Sequence, residues 1–151
     1  MKNIIFITIA VIITCFAACD FETSDNGSID GYWQMRQIDT LATNRSADMR
    51  QSKLFWSVQS RLFEVRDIPR NCKIDFRFEQ NNNFLRIWSP IANLRVISDS
   101  VITNPKTLEP YGIIANPNSD KVLEATFVIE RLTSDDMILN NASYRLHFRK
   151  Y

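Results

Sequence analysis

The stretch Lys73-Ile74-Asp75-Phe76-Arg77-Phe78-Glu79 alternates without a break between apolar and charged side chains. Successive side chains of an extended chain point to opposite faces, so Ile74, Phe76 and Phe78 share one face and the four charges share the other. Wound as a helix, the same residues would set Phe76 opposite Ile74 and Phe78. The stretch therefore predicts a β-strand with one buried face. Gln80-Asn81-Asn82-Asn83 follows as a turn and 84–89 as the next strand. The alternation returns in Tyr144-Arg145-Leu146-His147-Phe148-Arg149-Lys150, and Leu123, Ala125, Phe127 and Ile129 share one face of the run 122–132. Further strands are predicted over 32–39, 54–66, 94–98 and 137–140, which makes about eight.

Polar stretches at 134–136 and 140–143 separate the later strands. With only three glycines in the chain, asparagine is expected to supply left-handed turn conformations. Two stretches break the β pattern. Residues 42–52 are polar and read as a loop or a short helix. Thr103-Asn104-Pro105-Lys106-Thr107-Leu108-Glu109 reads as a capped helical turn stopped by Pro110. The run 54–66 is the least regular strand: Ser57, Gln59 and Arg61 share a face with Phe55, Phe63 and Val65, which a bulge or a wet interior would explain. Many hairpins with one buried face each favour closure into a barrel, which leaves no exposed edge. The expected fold is all-β, an antiparallel up-and-down barrel of about eight strands with one short helical turn.

Gly31-Tyr32-Trp33, at the start of the first strand, resembles the G-x-W motif of the lipocalin-like, or calycin, group. The ending Phe127-Val128-Ile129-Glu130-Arg131-Leu132 … Leu146-His147-Phe148-Arg149-Lys150-Tyr151 is similar to small lipocalin-like bacterial lipoproteins of uncharacterised function. The resemblance covers nearly all of 31–151. It implies that Trp33 plugs the closed end of the barrel and that an arginine near the C-terminus, Arg145 or Arg149, covers it. It carries no catalytic motif.

The N-terminus predicts an address. Lys2 precedes an uncharged, largely apolar run from Ile4 to Ala18, the layout of a secretory signal. Phe16-Ala17-Ala18-Cys19 resembles the lipobox of bacterial lipoproteins, which implies cleavage before Cys19 and acylation of that residue. Three organising units follow: a signal peptide over 1–18, an acylated N-terminus and flexible tether over 19–30, and the barrel domain over 31–151. Of the three cysteines, cleavage discards Cys15 and acylation blocks Cys19, so Cys72 is left as a lone thiol, expected to be buried or half-buried. Removing 1–18 takes away one of 18 basic residues and none of the 17 acidic ones, so the mature chain is neutral. Neutrality argues against nucleic acid as a partner, which calls for a basic excess. The membrane is then engaged through lipid, at the cell envelope and by expectation the outer membrane.

No catalytic constellation is legible. His147 is the single histidine, and by parity it points away from Leu146 and Phe148, toward solvent or the sheet edge. Asp135-Asp136 reads as a solvated turn, and Arg66-Asp67 with Arg70 as a solvated loop. No enzyme activity, cofactor or metal is expected. The aromatic set Trp33, Trp56, Phe76, Phe78, Trp88 and Phe127 carries the functional reading. An eight-stranded barrel is just wide enough to be packed solid or to hold one small ligand. The set therefore either lines a cup for a small apolar molecule or simply fills the core. In the second case the protein serves as a structural or accessory subunit that meets an envelope protein partner.

Overall fold

The computed structural model describes residues 24–94 and 97–151. Cys19, the signal and the lipobox lie outside the described residues. Eleven strands are formed: β1 (Gly31–Thr40), β2 (Arg45–Asp48), β3 (Leu54–Gln59), β4 (Leu62–Asp67), β5 (Cys72–Gln80), β6 (Phe84–Leu94), β7 (Ile97–Val101), β8 (Asn116–Pro117), β9 (Leu123–Leu132), β10 (Asp136–Asn140) and β11 (Tyr144–Lys150). Eight of them close a ring in the order β1, β3, β4, β5, β6, β9, β10, β11 and back to β1, every neighbour antiparallel. This is the expected up-and-down barrel. β2, β7 and β8 are side strands on β1, β6 and β9.

The barrel forms because alternate residues of every ring strand are apolar and bury the same face. Ile74, Phe76, Leu85, Ile87, Phe127 and Leu146 all point inward. Each such side chain contributes about 1.5–3 kcal/mol when fully covered. Phe63 and Val65 of β4 stand directly opposite Val58 and Trp56 of β3, and all four are buried.

That pairing corrects the reading of 54–66 as one bulged strand. The segment is a hairpin in which Gln59 pairs with Leu62 across a two-residue turn, with Ser60 held at φ 53°. Inward positions are even in β3 and odd in β4, which is why no single parity fitted. The strand expected at 94–98 falls across the end of β6 and the start of β7, off the ring. The hairpin supplies two ring strands and 94–98 none, so the total of eight stands.

Three other expectations change. Residues 45–48 are neither loop nor helix but β2, exposed throughout. Left-handed backbone at non-glycine positions falls on Asn44 and Asn71 but also on Lys53, Ser60, Ser89 and Lys121. The hairpin asparagines act through their side chains instead: Asn81 Oδ1 accepts the N–H of Asn83 and Phe84, and Asn141 Oδ1 that of Ser143 and Tyr144. Finally, the helical turn is a pair of 3-10 turns, Pro105–Thr107 and Glu109–Tyr111, with Asn104 capping the first through Lys106 N–H. Pro110 sits inside the second turn, where its missing N–H costs nothing.

Candidate functional site

The end of the barrel where β1 begins and β11 finishes is closed. Trp33 is fully buried there and its indole N–H donates to the Ile29 carbonyl at 2.7 Å. Ile29 belongs to a 3-10 turn, Gly27–Ile29, and is itself fully buried. Lys150, not Arg145 or Arg149, covers the tryptophan: its Nζ lies 4.7 Å from the ring centroid and donates to the carbonyls of Asp30 at 2.7 Å and Ser28 at 3.1 Å. The reason is parity, since Lys150 shares a face with Leu146 and Phe148. Arg145 instead pairs with Glu130 on the outer wall. Gly31 makes the approach feasible, because a Cβ there would meet Lys150 Cε at 3.1 Å and its φ is +127°.

The segment before β1 is not a free tether over its described part. Asp30 accepts from Ser24 Oγ at 2.6 Å, from Asn26 N–H at 2.9 Å and from Asn26 Nδ2 at 2.7 Å. Asn26 Nδ2 also reaches the Ser60 carbonyl, and Ser60 N–H donates to Ser24 Oγ at 2.7 Å. Residues 24–30 thus form a clasp fastened to the β3–β4 turn. Burial pushes the Asp30 carboxyl up, but the donors from Ser24 and Asn26 together outweigh it and hold the group below 3.8.

Of the six aromatic site candidates, Trp33, Trp56, Phe76 and Phe127 come together inside the barrel. Trp56 sits at the centre, with ring centroids at 4.6 Å from Phe148, 5.2 Å from Phe63 and 5.5 Å from Phe127. These rings pack against one another inside the barrel. The interior's one polar irregularity is Trp56 Nε1, fully enclosed with no hydrogen-bond acceptor among the described residues. Phe78 is half-buried near the closed end. Trp88 stands on the outer wall with Arg86 5.1 Å over its ring. Phe78 and Trp88 instead border a hollow of about 600 Å3 with Arg61, Arg77 and Glu79.

At the opposite end, the mouth, the chain between β7 and β8 folds over the opening. Leu108 and Ile113 are fully buried in the barrel core, with Tyr111 and Ala115 nearly so. Gly112 turns at φ +77°, and a Cβ there would strike Leu146 Cδ2 at 2.7 Å. Its carbonyl accepts from Asn141 Nδ2 at 2.8 Å. Periodicity could not find this lid, because Leu108, Tyr111 and Ile113 fit neither a strand nor an α-helical face. Beside it residues 68–70 form an exposed turn, as expected, but Asp67 is 4% exposed and bonded to Arg70 at 2.6 Å, so it anchors the corner instead of being solvated. Cys72 is half-buried and free. Burial, then a hydrogen bond with Cys72, hold the Tyr111 phenol above its ordinary value.

His147 lies on the outer wall, as its parity required, with Nε2 2.8 Å from Asp39 Oδ2. Ser46 Oγ donates to the other Asp39 oxygen at 2.6 Å. The hydroxyl therefore faces the carboxylate and not the imidazole, an order that activates no nucleophile. Bonds from Ser46, Gln37 and His147 hold Asp39 below its ordinary value.

A closed eight-stranded barrel with an N-terminal 3-10 turn, a buried G-x-W tryptophan and a last-strand cation over it now stands complete. The model of the lipocalin-like domain family matches residues 14–151. The chain belongs to the lipocalin-like domain family. A lipocalin-like protein from Bacteroides uniformis ATCC 8492, solved at 1.79 Å, is similar in fold, with a TM-score of 0.57 and 20% identity over 83% of this chain and 100% of that one. An uncharacterized protein from Bacteroides eggerthii DSM 20697 gives a TM-score of 0.51 and 18% identity, covering 82% and 99%. No curated protein matches the chain. Among the described residues of this lipocalin-like barrel, no helix is long and apolar enough to cross a membrane.

Proposed function

We propose that the protein is a lipid-anchored component of the cell envelope whose lipocalin-like barrel binds a small apolar molecule carrying one hydrogen-bond acceptor, without catalysis. The observation that carries the binding is the Trp56 indole N–H, buried at the centre of the barrel without an acceptor among the described residues. An enclosed donor left unsatisfied costs about 1–3 kcal/mol. A ligand oxygen or nitrogen placed there recovers that cost. Entry is by the mouth, where the lid inserts Leu108, Tyr111 and Ile113. Uncovering each costs about 1.5–3 kcal/mol, which a ligand of similar volume offsets by occupying the same space. The lid therefore selects for apolar molecules large enough to replace it.

Titration of the protein with a fatty acid or a porphyrin, followed by calorimetry and tryptophan quenching, tests the binding. Saturable binding that Trp56→Phe weakens about five- to tenfold is the expected result, corresponding to one lost hydrogen bond. A well-folded sample with no saturable response would overturn it. The packed interior favours a second reading, a solid barrel acting as an accessory subunit, because Trp33, Trp56, Phe63 and Phe127 are fully enclosed. Absence of ligand binding with stable association to an envelope protein would select that reading.

The anchor rests on the resemblance of Phe16-Ala17-Ala18-Cys19 to a lipobox. A two- or three-chain lipid is effectively permanent, since each buried methylene contributes about 0.8 kcal/mol. Cys19→Ala is expected to abolish lipid labelling and release the protein from membranes. A variant still sedimenting with salt-washed membranes would sink the anchor.

A further inference from the structure

The barrel wall opens where β6 changes partner. Phe84–Trp88 pair with β9, whereas Ile91, Ala92 and Leu94 pair with β7. The switch falls at Ser89, whose φ of 55° is left-handed, followed by Pro90, which has no N–H to offer a ladder. The register of β6 against β5 slips at the same level, between Asp75 and Arg77. Across the gap the β6–β9 ladder ends at Trp88 opposite Glu124, so the two strands part like a wedge.

A hollow of about 330 Å3 occupies the wedge, walled by Ile91, Val101, Ile102 and Val122. Val101 is 68% exposed and Ile91 36%. Arg77 and Lys121 border the hollow and are exposed. Lys121 is fixed in a tight turn, where Asn118 Oδ1 accepts the N–H of Asp120 and of Val122. No carboxylate is among the described residues lining this hollow. The ion pairs of the described residues involve neither cation. Elsewhere on the surface the hollows carry acids that would repel an anion: Asp25 and Glu79 beside Trp88, Asp67 at the mouth, Asp30 and Glu64 near the clasp. Apolar walls and two cations that form no ion pair among the described residues coincide in the seam, and Arg77 also borders the hollow beside Trp88 that Glu79 lines.

We propose that this seam binds a medium-chain carboxylate, its anion held by Arg77 and Lys121 and its tail laid against Ile91, Val101, Ile102 and Val122. The guanidinium suits a carboxylate because its N–H groups form a planar fork that can engage both oxygens. The volume is at the small end of the range for ligand sites, which limits the tail to roughly ten carbons. The seam is a separate site from the barrel interior and does not depend on ligand entry by the mouth.

Calorimetric titration of the full-length protein with decanoate and with decanol tests the proposal. Decanoate is expected to bind saturably and decanol at least about tenfold more weakly, since a charge-assisted contact exceeds a neutral one. R77Q and K121Q are each expected to weaken decanoate about three- to tenfold while leaving decanol and the melting temperature unchanged. Val101→Asp is expected to weaken both probes. Equal affinity for the two probes, or decanoate binding unmoved by both cation substitutions, would overturn the seam. If decanoate binding resists R77Q and K121Q yet falls with Trp56→Phe, the ligand is in the barrel interior: the seam proposal fails and the mouth reading stands. The reverse pattern supports the seam.

Discussion

At the closed end the barrel is sealed by hydrogen bonds: Asp30 gathers Ser24 and Asn26, Trp33 donates to Ile29, and Lys150 ties Ser28 and Asp30 together over the indole. At the mouth it is sealed mainly by bulk, with Leu108, Tyr111 and Ile113 pressed into the core and tied by two side-chain bonds, from Asn141 to Gly112 and between Tyr111 and Cys72. Hydrogen bonds demand distance and direction, so only the chain's own groups fit the first seal. Burial is non-directional and scales with area, so another apolar body of equal volume can replace the second. The closed end is held by directed bonds and the mouth by apolar burial, which is why the proposed entry of ligand is placed at the mouth.

The largest effect should come from Trp33→Ala, which removes the plug around which the polar seal is built. It is expected to cost about 3–5 kcal/mol in urea unfolding. Leu108→Ala is expected to cost about 2–4 kcal/mol, and hydrogen exchange should show the amides of Tyr111 and Gly112 opening before those of β1. Lid amides protected as strongly as β1 would break the contrast between the two ends. Lys150→Met keeps the side-chain length but loses the cation over Trp33 and two donors, for about 1–2 kcal/mol. Arg149→Met should cost less than Lys150→Met, and the opposite order would contradict the assignment of Lys150.

The smallest effect is the polar seal's own share of the pH dependence, carried by Asp30. Asp30 is held below 3.8 in the folded protein, so its stabilising contribution is full above that value and is lost as pH falls through the folded pKa. Stability measured below pH 4 should decline less steeply in Asp30→Asn than in the parent chain. Unchanged acid limbs would show that the clasp contributes nothing measurable.

Sequence alternation made the walls legible and the seals only in part. β5, β9 and β11 follow period two, so Phe76, Phe127 and Phe148 were readable as core. The position of Lys150 was readable too, since it continues the inward series of Leu146 and Phe148. The G-x-W resemblance called for arginine, and that preference hid it. Trp88 shares its parity with Phe84 and Arg86, which already placed it outside. The β3–β4 turn was hidden because Ser60-Arg61 carries neither glycine nor asparagine, and the inward parity changes across it. The lid was illegible because 3-10 turns bury residues at irregular spacing, and its partners lie on distant strands.

The clasp also gives the molecule an aim. Ser24 is fastened to the closed end, and four residues separate it from Cys19, a span of five residue steps. At no more than about 3.6 Å per residue, that leash reaches roughly 18 Å whatever path it takes. With the proposed lipid in place, the bottom of the barrel must hover within a headgroup layer or two of the bilayer, while the lid and the mouth-side seam point away from it. If the proposed anchor and the proposed binding both hold, a barrel mounted this way would take its ligand from the aqueous gap and not from the membrane that holds it.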